Sequence, residues 1–217
     1  MNIDKTISRN LNSLVKNHIK RPKNNNEMYL LLKTTLQGTY YEPLLDNLND
    51  NITGTFATCI YCTNTNYIIK TNIFEKDVTQ DGTNFWLKYI INVPNNNNLP
   101  NLIHYYFYEN YYFVIMERLY DVSNYIPYIE SSCIIDVLNK IETYTKGIDY
   151  NFFNSKKFVS KYTPILIKTL PTFINILTPI VNNNKEITLD ICSENIMVRS
   201  YKNKIEFILL DPFWREV

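Results

Sequence analysis

The chain has 217 residues and a formal net charge of +1, from 22 lysines and arginines against 21 aspartates and glutamates. This near balance argues against general electrostatic binding to nucleic acid, so no nucleic-acid partner is expected. Hydrophobic residues make up 45% of the chain. That content is enough for a packed core in one large domain or in two small lobes around one cleft.

The first residues and the cysteines indicate the compartment. Met1 to Thr6 contain no apolar signal region, and no apolar run approaches the roughly 20 residues of a membrane span. Cys59 and Cys62 form a C-x-x-C pair, but no second pair or histidine is near enough in sequence to complete a zinc site. Ordinary strand cysteines are the favoured interpretation. We therefore expect a soluble, cytoplasmic protein with no membrane partner.

Two helices are predicted in the first part of the chain. Apolar residues recur at helical spacing from residue 3 to about Lys20, and residues 27–36 form a second helical stretch. Neither segment carries a motif. Residues 1–48 are therefore assigned to an N-terminal helical extension that covers one face of the domain after it.

The composition changes at residues 52–73, which are rich in β-branched and aromatic side chains. Residues 52–62 predict one strand, which contains Gly54. Residues 67–73 predict a second strand, which contains Lys70. A solvent-facing strand lysine is the plain interpretation of Lys70.

A short helix and a pair of aromatic strands are predicted next. The helix covers Phe85 to Ile90, and Asp81 before it is read equally as its N-cap or as a functional acid. The strands cover residues 104–108 and 111–117, with a turn at residues 109–110.

Two core helices are predicted beyond these strands. Residues 129–146 place apolar side chains on one helical face. Residues 158–181 form a longer apolar helical region, which Pro171 is expected to kink or divide.

The closing stretch contains the candidate chemistry. Asp190 lies five residues before Asn195, which opens a strand, and a second strand at residues 205–210 ends at Asp211. A hairpin centred near Asn203 would make Asn195 and Asp211 cross-strand neighbours, with Cβ atoms about 5 Å apart. Hard oxygen ligands of this kind suit Mg²⁺ bridged to phosphates, and a further carboxylate can position or deprotonate a hydroxyl. A surface hairpin with an aspartate at each end is the plain alternative.

This stretch resembles the catalytic core of the protein-kinase-like superfamily. Asp190-Ile-Cys-Ser-Glu-Asn195 is similar to the H-R-D-x-x-x-x-N loop, and Asp211-Pro-Phe stands in the place of D-F-G. The sequence departs from the family at Thr188-Leu189, which replace His-Arg, and at Pro212, which replaces Phe. The resemblance implies that Asn195 and Asp211 hold magnesium and that Asp190 orients the acceptor hydroxyl.

The resemblance covers roughly residues 50–214. Gly54-Thr-Phe-Ala-Thr-Cys is similar to the second half of the glycine-rich loop, with one glycine of three. Tyr67-Ile-Ile-Lys70 is similar to V-A-I-K, whose lysine binds the α- and β-phosphates of ATP. In the family a helix acid pairs with that lysine, and Asp81 is the candidate because it opens the helix.

The second aromatic strand resembles the strand that enters the kinase hinge. By that resemblance Met116 would be the gatekeeper. The backbone of Glu117 and Leu119 would meet the adenine edge of ATP.

The implied fold class is α+β, a two-lobed protein-kinase-like fold. It has a small β-rich N-lobe at residues 49–118 and a short helical C-lobe at residues 119–217. Only six residues follow Asp211, and no activation segment or A-P-E occurs. The chain therefore resembles the minimal kinases of phages and large DNA viruses, which implies the host cytoplasm or the virion as its location.

The resemblance implies an ATP- and Mg²⁺-dependent phosphotransferase, a Ser/Thr protein kinase acting on a protein substrate. A small-molecule phosphotransferase of the aminoglycoside or choline type is one alternative, although that type normally has further C-terminal helices. A pseudokinase or a non-enzymatic nucleotide- or protein-binding module is the other, favoured by the degenerate glycine loop. The presence together of Lys70, Asp190, Asn195 and Asp211 argues against it.

Overall fold

The fold is described from a computed structural model. The chain divides into two compact units, one of Met1–Asn84 with Asn101–Arg118 and one of Phe85–Pro100 with Leu119–Val217. Both contain helices and antiparallel strands, so the predicted α+β class is confirmed. The predicted division into an N-terminal extension at residues 1–48, an N-lobe at 49–118 and a C-lobe at 119–217 stays a prediction. The structure describes residues 5–16, 25–42, 48–53, 58–62, 65–73, 82–93, 96–140 and 161–215.

The first unit contains a five-stranded antiparallel sheet in the order β1-β2-β3-β5-β4. The strands are β1 (Leu48–Thr53), β2 (Thr58–Cys62), β3 (Tyr67–Thr71), β4 (Leu102–Tyr108) and β5 (Tyr111–Glu117). The predicted single strand at residues 52–62 is thus wrong, because Thr53 of β1 pairs antiparallel with Thr58 of β2. The predicted turn between β4 and β5 is confirmed, with Glu109 at φ 52°.

Helices α1 (Lys5–Lys16) and α2 (Asn25–Leu36) belong to this first unit. Their apolar residues recur every three or four positions, which places them on one helical face. That face packs on the sheet in a shared cluster of buried side chains that includes Ile7, Leu11, Leu32, Leu36, Ile60, Ile69, Phe113 and Ile115. The two helices therefore complete the core of the first unit.

The second unit carries the remaining helices and strands described. Helix α3 (Gly82–Asn92) begins in the first unit and continues into the second. The later elements are β6 (Tyr120–Asp121), α4 (Tyr128–Asn139), α5 (Thr163–Asn183), β7 (Ile187–Leu189), β8 (Ile196–Tyr201), β9 (Lys204–Leu209) and β10 (Phe213–Arg215). Strands β6, β8 and β9 form one sheet, and β7 pairs with β10.

Helix α4 is shorter than the sequence predicts. Its last residue is Asn139, and Lys140 is its C-cap, whereas the periodic pattern continues to residue 146. Residues 141–160 lie outside the described part of the chain.

Helix α5 continues through Pro171, so the expected division of this region is wrong. Buried side chains recur on both sides of the proline, including Leu166, Leu170, Phe173 and Leu177. Packing of that continuous face compensates for the hydrogen bond that proline removes.

Helix α5 bears on the expectation that the chain contains no membrane span, which stays a prediction. Among the described helices, its 21 residues are long and apolar enough to cross a membrane by length and composition. Its buried face packs against β7 and β9, as the core helix of a folded domain does.

Candidate functional site

The hairpin of β8 and β9 brings the closing motif together. Lys202 and Asn203 form its two-residue turn, with φ values of 47° and 65°, which is the conformation of a type I′ turn. The predicted hairpin is confirmed, but its observed register differs from the predicted register by one residue. The main-chain N–H of Leu210 donates to the carbonyl of Asn195 at 2.7 Å, so Leu210 and not Asp211 lies opposite Asn195. The prediction assumed a turn centred on one residue.

Asp211 follows in a left-handed backbone conformation, with φ 45°. This region is uncommon for a residue other than glycine and costs on the order of 1 kcal/mol or more. The Oδ1 atom of Asp211 is shielded from solvent. After this residue the chain forms β10, where Phe213 pairs with Leu189 of β7. A backbone of this kind is typical of functional sites and sharp changes of chain direction.

Asp190 lies directly after β7 and is joined to both other motif segments. Its main-chain N–H donates to the carbonyl of Pro212 at 2.8 Å. Its own carbonyl accepts a hydrogen bond from Nδ2 of Asn195. The backbone of Asp190 is thus bonded to the side chain of Asn195 and to the residue after Asp211, all within the second unit.

The surroundings of Asp190 favour its protonated form more than water does. Asp190 is an exposed residue, but part of its carboxyl is withdrawn from water. That desolvation, followed by the negative charge of Glu194, raises the pKa of Asp190. Sequence reasoning missed Glu194, although its place directly before Asn195 puts it in the same loop.

Glu194 and Cys192 form a second interacting pair in this loop. The side chain of Cys192 donates a hydrogen bond to the Glu194 carboxylate, which lowers the pKa of Glu194. Burial is the main cause that raises the pKa of the Cys192 thiol, which reaches about 11. The same hydrogen bond and the charges of Glu194 and Asp190 raise it further. Cys192 is therefore a neutral thiol at physiological pH.

Asn195 and Asp211 carry oxygen atoms that could hold Mg²⁺ together with phosphate groups and water. The amide nitrogen of Asn195 is used on the carbonyl of Asp190, which leaves its oxygen as the group able to bind a cation. In the described part of the chain, no three His, Cys, Asp or Glu side chains gather as a metal site. An amide and a carboxylate fit Mg²⁺, which is commonly held by one or two protein ligands plus phosphates and water.

Lys70 lies in the first unit and is buried, with only 5% of its surface exposed. The interpretation of Lys70 as a solvent-facing strand lysine is therefore wrong. It stands opposite Cys59 of β2 and Val114 of β5. Because its neighbour Ile69 points into the core beneath α1 and α2, Lys70 points to the other face of the sheet. Burial of a lysine is rare unless its charge is satisfied.

The predicted hinge residues lie at and just after the end of β5. Met116 is fully buried, and Leu119 is 5% exposed. The main-chain N–H of Glu117 donates to the carbonyl of Asn101 at 3.1 Å. The Glu117 carboxylate in turn accepts from the main-chain and side-chain nitrogens of Asn101. An adenine contact by Glu117 would therefore have to use its carbonyl oxygen.

Two predicted site residues, Gly54 and Asp81, lie outside the described residues.

No protein-family model matches the chain, and no curated protein matches it significantly. The candidate site therefore depends on its own geometry and on the motifs.

Proposed function

We propose that the protein is an ATP- and Mg²⁺-dependent phosphotransferase of protein-kinase-like fold that phosphorylates Ser/Thr hydroxyls of a protein substrate. The observation that carries this proposal is the pair of hydrogen bonds at Asp190, one from the Asn195 side chain to its carbonyl and one from its main-chain N–H to the carbonyl of Pro212, the residue after Asp211. The Asp190–Pro212 bond continues the pairing of β7 with β10, whereas the bond from Asn195 depends on residue identity, because it needs a side chain that can donate. The Asn195–Asp190 bond supports the proposal because it joins two residues of the D-x-x-x-x-N motif.

The order of elements supports the kinase-like fold. After α1 and α2 comes an antiparallel sheet with a buried lysine on β3, and α3 is the next element of the described residues. Strand β5 ends at the proposed hinge, two longer helices come next, and the hairpin that carries Asn195 closes the series. This succession is the one that the resemblance implies.

Each motif residue has a role that its chemistry permits. Lys70 binds the phosphates of ATP, and Asn195 with Asp211 binds Mg²⁺, which neutralises charge on the phosphate oxygens. Asp190 accepts a hydrogen bond from the acceptor hydroxyl, orients it and takes its proton. The hydroxyl oxygen then bonds to the γ-phosphorus as the bond to the β-phosphate oxygen breaks and ADP leaves.

Transfer of radiolabel from magnesium-ATP tests this function directly. The chain and its Asp190→Ala variant are incubated with labelled ATP, alone and with a mixed protein extract. We expect labelled protein with the wild type and a loss of at least about a hundredfold in the variant. Equal labelling by both would refute the catalytic role.

A second candidate is a nucleotide-binding protein without transfer activity. One observation favours it. None of residues 190–195 is cationic, and Arg199 is already bonded to Glu206, so this segment supplies no cation to stabilise the charge on the phosphoryl group during transfer. Binding without transfer would give a thermal shift that needs both ATP and Mg²⁺ and is lost in Asp211→Ala, with no labelling. A thermal shift accompanied by labelling supports the first function.

A further inference from the structure

Asp211 is held on its N-terminal side by a loop that is far from it in sequence. The main-chain N–H of Leu209 donates to the carbonyl of Asn98 at 3.0 Å. The side chain of Asn98 donates in return to the carbonyl of Phe207 at 2.9 Å. The loop at residues 96–99 therefore lies along the end of β9, and its nearest bond is at Leu209, two residues before Asp211.

Asp211 is held on its C-terminal side by the helix that precedes the same loop. The ring of Phe213 meets Phe85 edge-on at a centroid distance of 5.9 Å and Trp86 at 5.6 Å. Trp86 is fully buried and Phe213 is 3% exposed. We refer to α3 from Phe85 onward, together with the loop at 96–99, as the brace.

Arg199 hydrogen-bonds the loop of the brace to the β8–β9 hairpin. One guanidinium nitrogen donates to the carbonyl of Asn97 at 2.8 Å and another to the carbonyl of Leu99 at 2.9 Å. The first nitrogen also bonds the Glu206 carboxylate on β9 at 2.8 Å. The planar fork of arginine can hold two carbonyls and a carboxylate at once, which the single ammonium of lysine cannot match.

We propose that Arg199 is a positioning residue for the magnesium-binding conformation of Asp211. This inference rests on the proposed function and adds the means by which the metal ligand is kept in place. The strained backbone at Asp211 persists because it is fixed two residues before and two residues after. Both fixed points, Leu209 and Phe213, contact the brace. Arg199 of β8 joins the brace to the hairpin through its bonds to Asn97, Leu99 and Glu206.

The test compares Arg199→Ala and Arg199→Lys with Glu206→Gln in the full chain. Glu206→Gln removes the ion pair but keeps both carbonyl bonds, so it is the matched control. The first measurement is the Mg²⁺ concentration that half-saturates ATP binding. We expect it to rise about tenfold in Arg199→Ala and severalfold in Arg199→Lys, and less than about twofold in the control. Binding of ATP without magnesium should stay the same in all four proteins.

The second measurement is amide hydrogen exchange of the peptide covering residues 205–213, which does not depend on the proposed function. We expect faster exchange there in both Arg199 variants and unchanged exchange in Glu206→Gln. A folded Arg199→Lys that matches the wild type in both measurements overturns the inference, because charge alone would then suffice.

The failure of the proposed function would look different. If the wild type binds no ATP in the presence of Mg²⁺, the proposed function is wrong, and the exchange result alone decides the role of Arg199. Faster exchange confined to residues 205–213 supports the positioning role. Faster exchange across the whole second unit would show a general structural role and overturn it.

Discussion

Asp190 carries a charge that is unfavourable to the folded state. Desolvation and the nearby Glu194 raise its pKa, so the folded chain binds this proton more tightly than the unfolded chain does. The stability that this proton contributes is present below the unfolded-state pKa and is lost as the pH rises through the folded-state pKa. Where Asp190 is ionised, its charge therefore lowers the stability of the folded chain.

Replacement of Asp190 by Asn should separate activity from stability. We expect Asp190→Asn to lose phosphate transfer and to melt at the same temperature as the wild type or higher at pH 7, because it removes the unfavourable charge. Labelling and calorimetry measure the two effects. Asp136→Asn, at an exposed position on α4, should change neither. A lower melting temperature in Asp190→Asn would contradict the prediction.

Replacement of Glu194 by Gln should change the pH dependence of the reaction. Its negative charge is the second cause of the raised pKa of Asp190, after desolvation. Without that charge, the acidic limb of the kcat/KM profile should move to lower pH, and it should move only part of the way because desolvation remains. An acidic limb that stays in place would show that Asp190 is not the group whose ionisation limits the rate.

Turn chemistry decides the register of the β8–β9 hairpin. Lys202 and Asn203 both have positive φ, and lysine is less suited than asparagine or glycine to that conformation. The two-residue turn places Asn195 opposite Leu210 and leaves Asp211 beyond the last strand pair. The position of Asp211, the proposed magnesium ligand, therefore depends on the geometry of a turn at the other end of the hairpin.

Glycine at position 202 should stabilise the protein. We expect Lys202→Gly to raise the free energy of unfolding by about 0.5–1 kcal/mol, because glycine adopts the left-handed conformation without steric cost. Lys204→Gly is the control, since Lys204 lies in β9 and glycine there should destabilise by about 0.5–1 kcal/mol. Chemical denaturation measures both. Equal destabilisation by the two variants would contradict the turn assignment.

The two N-terminal helices belong to the folding unit of the sheet. Ile7, Leu11, Leu32 and Leu36 have no exposed surface and share one cluster with residues of β2, β3 and β5. Tyr106 of β4 also donates its hydroxyl hydrogen to Asn12 of α1 at 2.6 Å. The segment predicted as an extension at residues 1–48 thus contributes core side chains to the unit that carries Lys70.

Truncation of Leu11 should therefore destabilise the whole first unit. We expect Leu11→Ala to lower the free energy of unfolding by about 2–5 kcal/mol, from lost burial and the cavity that remains. Leu30→Ala, at a side chain that is 61% exposed, should change it by less than about 0.5 kcal/mol. Denaturant unfolding of both variants provides the measurement. A small effect of Leu11→Ala would mean that the sheet is stable without the helices.

Local sequence was sufficient for most element types in both units. The periodicity of α1 and α2, the aromatic strands β4 and β5 and the β8–β9 hairpin were all predicted, because spacing and turn residues are local properties. Local signals were less accurate at the boundaries of two elements. They merged β1 with β2 and extended α4 beyond Asn139.

The sequence by itself determined which residue types could bind phosphate and magnesium, because Asp190, Asn195, Asp211 and Lys70 are recognised by identity and spacing. Only the tertiary structure decided their environments. Burial of Lys70, the left-handed backbone of Asp211 and the bond from Asn195 to Asp190 arise from pairing between strands. The role inferred for Arg199 depends on carbonyl groups about a hundred positions away in the chain. Such contacts have no local signature, because they form only when distant segments pack together.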